Sequence, residues 1–190
     1  MRIGILRIGQ PKSDPSDRIR ETLSATFPET AVAMIEKEIC VPDGAFNETR
    51  KQYRSDIILM EIRNFADARQ EFDRILGITD VDLFVPSMNF VFGEAEHPGK
   101  AALVSFWRLR PEFHQRPPNE EAFGERCAKE AIHEIGHTLG LDHCDNPFCV
   151  MRFSNSILET DVKKSFFCKK CASEVEAVLI EFGKDLERKV

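Results

Sequence analysis

Apolar positions along the first half of this chain follow two alternating rhythms. From Arg2 to Ile8 they run almost unbroken, interrupted only near Arg7, which predicts a buried strand. Asp14 and Pro15 then stand as capping residue and first helical residue. Ile19, Leu23 and Phe27 recur every four positions and Pro28 closes the pattern, so a helix is expected over 14–27. Residues 30–36 alternate small and apolar side chains and read as a second strand. Strand, helix and strand in such quick succession make a βαβ unit, which implies a partly parallel sheet and an α/β or α+β fold.

Beyond residue 40 the rhythm is less regular. Pro42, Gly44 and Asn47 mark 40–52 as a loop. Ile58 and Ile62 predict a helix over 55–63, and 65–74 is charged and partly helical in pattern. Residues 75–78 read as a short strand. Residues 89–94 and 101–108 read as two more, joined through His97-Pro98-Gly99-Lys100 as an antiparallel hairpin. Three prolines make 109–119 a loop. Phe123, Cys127, Ala131 and Ile135 then predict a helix over 120–139, and Val175, Val178, Leu179 and Phe182 a last helix over 172–188.

The 190 residues suit one domain, or one domain with a small appendage. Lys and Arg number 26 against 32 Asp and Glu, a net charge of −6 spread along the chain, which disfavours nucleic acid as a partner. The N-terminal apolar run is too short for a signal peptide, and no stretch approaches the roughly 20 apolar residues of a membrane span. A cytoplasmic protein is expected, with no membrane partner. Nothing in the sequence fixes oligomeric state; a monomer is the default.

Three of the five histidines lie in one short stretch, His133-Glu134-Ile135-Gly136-His137-Thr138-Leu139-Gly140-Leu141-Asp142-His143. His133 and His137, four apart on a helix, share one face. Gly140 can take positive φ, end the helix and return His143 towards them. Three imidazoles with an open fourth position are the ligand set of a catalytic zinc. Glu134 emerges beside that metal, placed to take a proton from zinc-bound water and pass it to a leaving amine. The chemistry expected is peptide hydrolysis without a covalent enzyme intermediate. His97 and His114 are expected as surface loop residues.

Four of the six cysteines follow directly: Cys144 and Cys149, then Cys168 and Cys171. Two close pairs at this interval are the spacing of a closed, structural four-thiolate zinc site. Two zinc ions per chain are therefore expected. Cys40 and Cys127 stand alone and are expected as small buried apolar side chains.

The arrangement His-Glu-x-x-His-x-x-Gly-x-x-His-Cys-x4-Cys-x-Met, followed by Cys-x2-Cys, resembles the archaemetzincin family of metzincin zinc proteases. Residues 76–108 also look like that family. The resemblance implies a metzincin-type zincin fold: a twisted mixed sheet of about five strands, a backing helix at 14–27, an active-site helix at 120–139, a methionine turn at Met151 and a C-terminal helix. It implies an edge strand at 89–94 where a peptide or unfolded chain could add as substrate. A tyrosine found two residues past the methionine in some metzincins is replaced here by Phe153. The chain is expected to divide into 1–143, carrying sheet, backing helix and active-site helix, and 144–190, carrying methionine turn, cysteine site and last helix. Two other readings stay open: a non-catalytic, zinc-stabilised peptide-binding module, and a zinc hydrolase of a small amide.

Overall fold

The computed structural model describes residues 1–11 and 14–187. Strand β1 (Arg2–Ile8), helix α1 (Ser16–Thr26) and strand β2 (Ala31–Ile39) form the expected opening unit, with β1 and β2 parallel. The α1 start differs in one detail. Pro15 sits at the cap position, and Asp14 Oδ1 accepts the backbone N–H of Ser16 at 3.0 Å. Helix α2 (Ser55–Ala68) is longer than expected, taking up the front of the charged 65–74 stretch. Strand β5 (Arg74–Thr79) follows, then β7 (Gly93–Ala95) and β8 (Ala101–Ser105). These build a five-stranded sheet in the order β2-β1-β5-β8-β7, parallel except for the β7–β8 edge pair. Helix α3 (Glu120–Thr138), the short α4 (Ile157–Val162) and α5 (Lys169–Glu187) complete the chain. Arg188, expected in the last helix, lies outside the described residues.

Both faces of the sheet are covered, which is why β5 and β8 are buried at every position rather than alternating. Ile3 and Ile5 of β1 face α1 and α3, where Ile19, Leu23, Phe27, Ala131 and Ile135 meet them. Leu6 and Ile8 face the opposite side, against Ile58 and Ile62 of α2. Each such fully buried large side chain contributes about 1.5–3 kcal/mol. The first of these cores extends past residue 143 to Val150, Met151, Ile157 and Val175, so the two segments expected as subdomains share one apolar interior.

Three further features depart from the sequence expectation. The 40–52 loop holds β3 (Phe46–Asn47) and β4 (Gln52–Arg54), which pair with β6 (Leu83–Phe84) in a second small sheet. The edge strand expected at 89–94 begins only at Gly93, because Val91 turns away to bridge Leu83 in that second sheet. Cys40 is exposed, since it lies just past the end of β2; Cys127 is buried as expected. The β7–β8 hairpin forms as expected, and its connector is fastened at both sides. Glu96 Oε2 accepts the N–H of Lys100 at 2.8 Å, and Gly99 N–H donates to Thr138 O at the end of α3 at 3.1 Å.

Candidate active site

Helix α3 presents His133, Glu134 and His137 from its last two turns. Asn119 caps its start, Oδ1 accepting Ala122 N–H at 2.9 Å, and Glu120 and Glu121 complement the helix dipole there. At its far end Gly140 takes φ +90°. Leu141 N–H then donates to Gly136 O and Gly140 N–H to His137 O, a Schellman closure. That turn carries the chain back, and His143 arrives with its ring centroid 4.8 Å from His137 and 5.3 Å from His133. The sequence expectation of a glycine-driven return is met at Gly140.

The donor chemistry of the three rings fits a cation. His133 Nδ1 bonds Val150 O at 2.8 Å and His137 Nδ1 bonds Leu141 O at 2.7 Å. A carbonyl only accepts, so each Nδ1 carries the proton and each Nε2 keeps a lone pair. Those two Nε2 atoms face one another at 3.0 Å, and the donor atoms of all three rings lie within 4.8 Å. Converging lone pairs repel unless a positive ion lies between them. Burial, helped by the Lys163 charge, pushes His133 well below the ordinary imidazole range. Burial carries His137 down to about 4, and also lowers His143. The rings are thus neutral near pH 7, as metal ligation requires.

Glu134 is 5% exposed and lies against the edge strand: a Cβ on Gly93 would stand 2.5 Å from Glu134 Oε1. Burial, with the neighbouring Glu130 charge, pushes its carboxyl well above the ordinary value. Met151 is fully buried beneath the helix, its sulfur 2.5 Å from where a Gly136 Cβ would stand. The imidazoles open into a cleft of about 590 Å³ bounded by residues 87–95 on one side and by Phe153, Ser154 and Asn155 on the other.

The sulfurs of Cys144, Cys149, Cys168 and Cys171 lie within 4.8 Å of one another. Cys144 Sγ and Cys168 Sγ are 3.7 Å apart, far beyond a disulfide bond. The Cys171 N–H pointing at the Cys168 sulfur lowers its pKa to about 7, whereas burial raises those of Cys149 and Cys171.

Two groups beside the cleft escaped the sequence reading. Glu130, one turn before Glu134, is 3% exposed and lines the cleft. It forms an ion pair of 2.9 Å with Lys163, which is fully buried. Helical spacing from His133 and Glu134 could have flagged Glu130; nothing local marks Lys163. His97 lies on the cleft rim, its ring centroid 5.7 Å from His137 and its Nε2 3.3 Å from Asp142 Oδ1. His114 is elsewhere, held to Arg108 O.

A family profile described as Peptidase family M54 matches residues 14–177, which spans both clusters. The chain belongs to this family of peptidases. The archaemetzincin of Methanocaldococcus jannaschii is 45% identical over 168 residues, covering 88% of this chain and 90% of that protein. The crystal structure of archaemetzincin from Methanopyrus kandleri superposes with a TM-score of 0.82 at 36% identity, covering 93% and 94% of the two chains. That of a zinc-dependent peptidase from Methanocorpusculum labreanum gives 0.78 at 32%, covering 91% and 99%. The resemblance to archaemetzincins and the mixed-sheet fold are both borne out.

Proposed function

We propose that this member of peptidase family M54 is a zinc metallopeptidase in which His133, His137 and His143 hold the catalytic zinc and Glu134 is the catalytic acid–base. The observation that carries the reading is the pair of facing Nε2 lone pairs, with a buried carboxylate beside them, at the floor of an open cleft. Zinc bound there would supply Lewis acidity, making a water more acidic and polarising the scissile carbonyl. Glu134 would take a proton from a water at the cleft floor and return it to the leaving amine. A carboxyl held by the helix beside the facing imidazoles is placed for both steps. Strand β7 lies at the edge of its sheet, so an extended peptide can lie along it with backbone hydrogen bonds, above the histidines. Met151 supports the floor of the site against Gly136.

The four cysteines are assigned a second, structural zinc, because a full thiolate shell leaves no position for water. Residues 1–143 and 144–190 then act as the two walls of the cleft. A cytoplasmic setting suits this assignment, since thiols stay reduced there. No helix among the described residues is long and apolar enough to cross a membrane. Phe153, whose ring lies 4.9 Å from His143, brings no phenol to the cleft, which favours the binding module as second reading. The test is cleavage of a random peptide library by zinc-loaded protein and by Glu134→Gln. Cleavage by the first alone is expected. Equal cleavage by both would remove Glu134 from the mechanism, and peptide binding without cleavage by either would establish the module.

A further inference from the structure

The two clusters are joined by more than sequence proximity. His143 and Cys144 share a peptide bond. Cys144 N–H donates to Met151 O at 2.9 Å, and Cys168 N–H points at Cys149 Sγ at 3.3 Å. Between Cys149 and Met151 lies Val150, whose carbonyl accepts from His133 Nδ1. The orienting partner of the first imidazole is therefore one residue from a cluster sulfur. His137 is different: its partner, Leu141 O, belongs to the closing turn of its own helix. Two of the three imidazoles are thus bonded to the cysteine turn, His133 through Val150 O and His143 through its peptide bond to Cys144.

We propose that metal in the four-thiolate cluster sets the affinity of the three-imidazole site by holding the Val150 carbonyl on His133. The proposal rests on both clusters binding zinc. With the thiolates filled, Cys149 is anchored and the carbonyl stays in place. With them empty, Cys149 and Cys144 are released, and the buried Nδ1–H of His133 loses its acceptor. A buried donor without a partner is costly, so the ring rotates away from the geometry ligation needs. Loss of such an outer hydrogen bond typically weakens metal binding about 10- to 100-fold. The thiolate site fills first, and the imidazole site becomes competent afterwards. Val150 is thus a positioning residue that acts through its backbone. Two contacts could hold the turn without the thiolates: Val150 N–H to Phe166 O at 3.0 Å, and Lys163 Nζ to Arg152 O at 3.4 Å.

The experiment uses the full chain: wild type given one equivalent of Cd²⁺, which prefers thiolates, is compared with Cys168→Ser/Cys171→Ser, in which the thiolate site is broken and stays empty while zinc is added to the imidazoles. Zinc affinity of the imidazole site is read by competition with a chromophoric chelator, and the imidazole N–H protons by NMR. With the thiolates empty, affinity falls 10- to 100-fold. The His133 Nδ1–H signal is lost while that of His137 persists. Both substitutions leave residues 144–151 unaltered, so the change is traced to the empty cluster. Equal affinity in the two states would overturn the proposal and assign the turn to Phe166 and Lys163. Loss of both imidazole signals with general unfolding would also overturn it, since the cluster would then sustain the fold rather than the carbonyl. Metal at only one cluster refutes the two-zinc reading, and the proposal with it. Peptide cleavage enters none of these readouts, so a failure of the peptidase reading is seen separately.

Discussion

Gly93→Ala tests whether the edge strand sets the position of Glu134. A methyl at this position would stand 2.5 Å from Glu134 Oε1 and 2.5 Å from Leu103 O. Both distances fall about 0.9 Å short of ordinary contact. The carboxylate can rotate aside, but Leu103 O belongs to the backbone of β8, paired with β7, and cannot. Residue 93 is absent from the positive-φ positions, so alanine brings a gain of about 0.4–1 kcal/mol by restricting the unfolded chain. Overpacking against backbone costs about 1–3 kcal/mol, and this term wins. A 2.5 Å approach to backbone puts the overpacking cost in the upper half of that range, about 2–3 kcal/mol, so the net loss is about 1–2.6 kcal/mol and Tm falls by about 2–10 °C for a chain of this length. A displacement approaching 1 Å at Glu134, the proposed acid–base, costs about 10²-fold in kcat. Gly124→Ala, inside α3, is the control, because its methyl meets the Arg18 side chain at ordinary contact distance, Cγ at 3.6 Å and Cβ at 4.0 Å. There alanine should stabilise by about 0.5–1 kcal/mol through helix propensity. The assay pairs thermal melts with peptide cleavage at matched zinc content. Wild-type kcat in Gly93→Ala, at wild-type Tm, would refute the reasoning.

Two further outcomes follow from buried charge. Lys163→Met leaves Glu130 buried without its cation, which costs about 3–5 kcal/mol in urea denaturation, and adding Glu130→Leu recovers most of that loss; equal stability of Lys163→Met and wild type would contradict the pairing. Glu94 has its carboxyl raised above 4.5, chiefly by burial and despite the Ser55 hydrogen bond and the Arg54 charge. Its folded-state pKa exceeds the unfolded one, so its stabilising contribution is full below about 4.5 and is lost as pH rises through the folded value. Glu94→Gln should therefore melt with wild type at low pH and above it at neutral pH; a constant gap across the range would exclude this titration.

The elements that the sequence made legible are those long enough to show a period. Ile19, Leu23 and Phe27 announce α1, and Phe123 through Ile135 announce α3, because each repeats over several turns. Strands β3, β4 and β6 have two or three residues each and cannot show a period at all. Helix α4, with six residues, fails for the same reason. The edge strand was misplaced because Val91 is as apolar as a strand residue, yet spends its hydrogen bond on Leu83. The candidate site was legible because its histidines are local in sequence and fixed by helical geometry. Its surroundings were not. Glu130 and Lys163 meet only through the packing of α4 on α3. The partner of His133 is a backbone carbonyl, which carries no side-chain signature.

The bond from Gly99 to Thr138 O gives the cleft a particular mechanical character. It joins the end of the edge strand's hairpin to the end of the histidine-bearing helix, so roof and floor move as one frame at that end. At that end the opening is tied as a slot rather than hinged as a jaw. A chain already extended can slide into it, whereas a folded loop must first straighten. On the peptidase reading proposed above, unstructured polypeptide would then be favoured by the frame itself, ahead of any side-chain recognition.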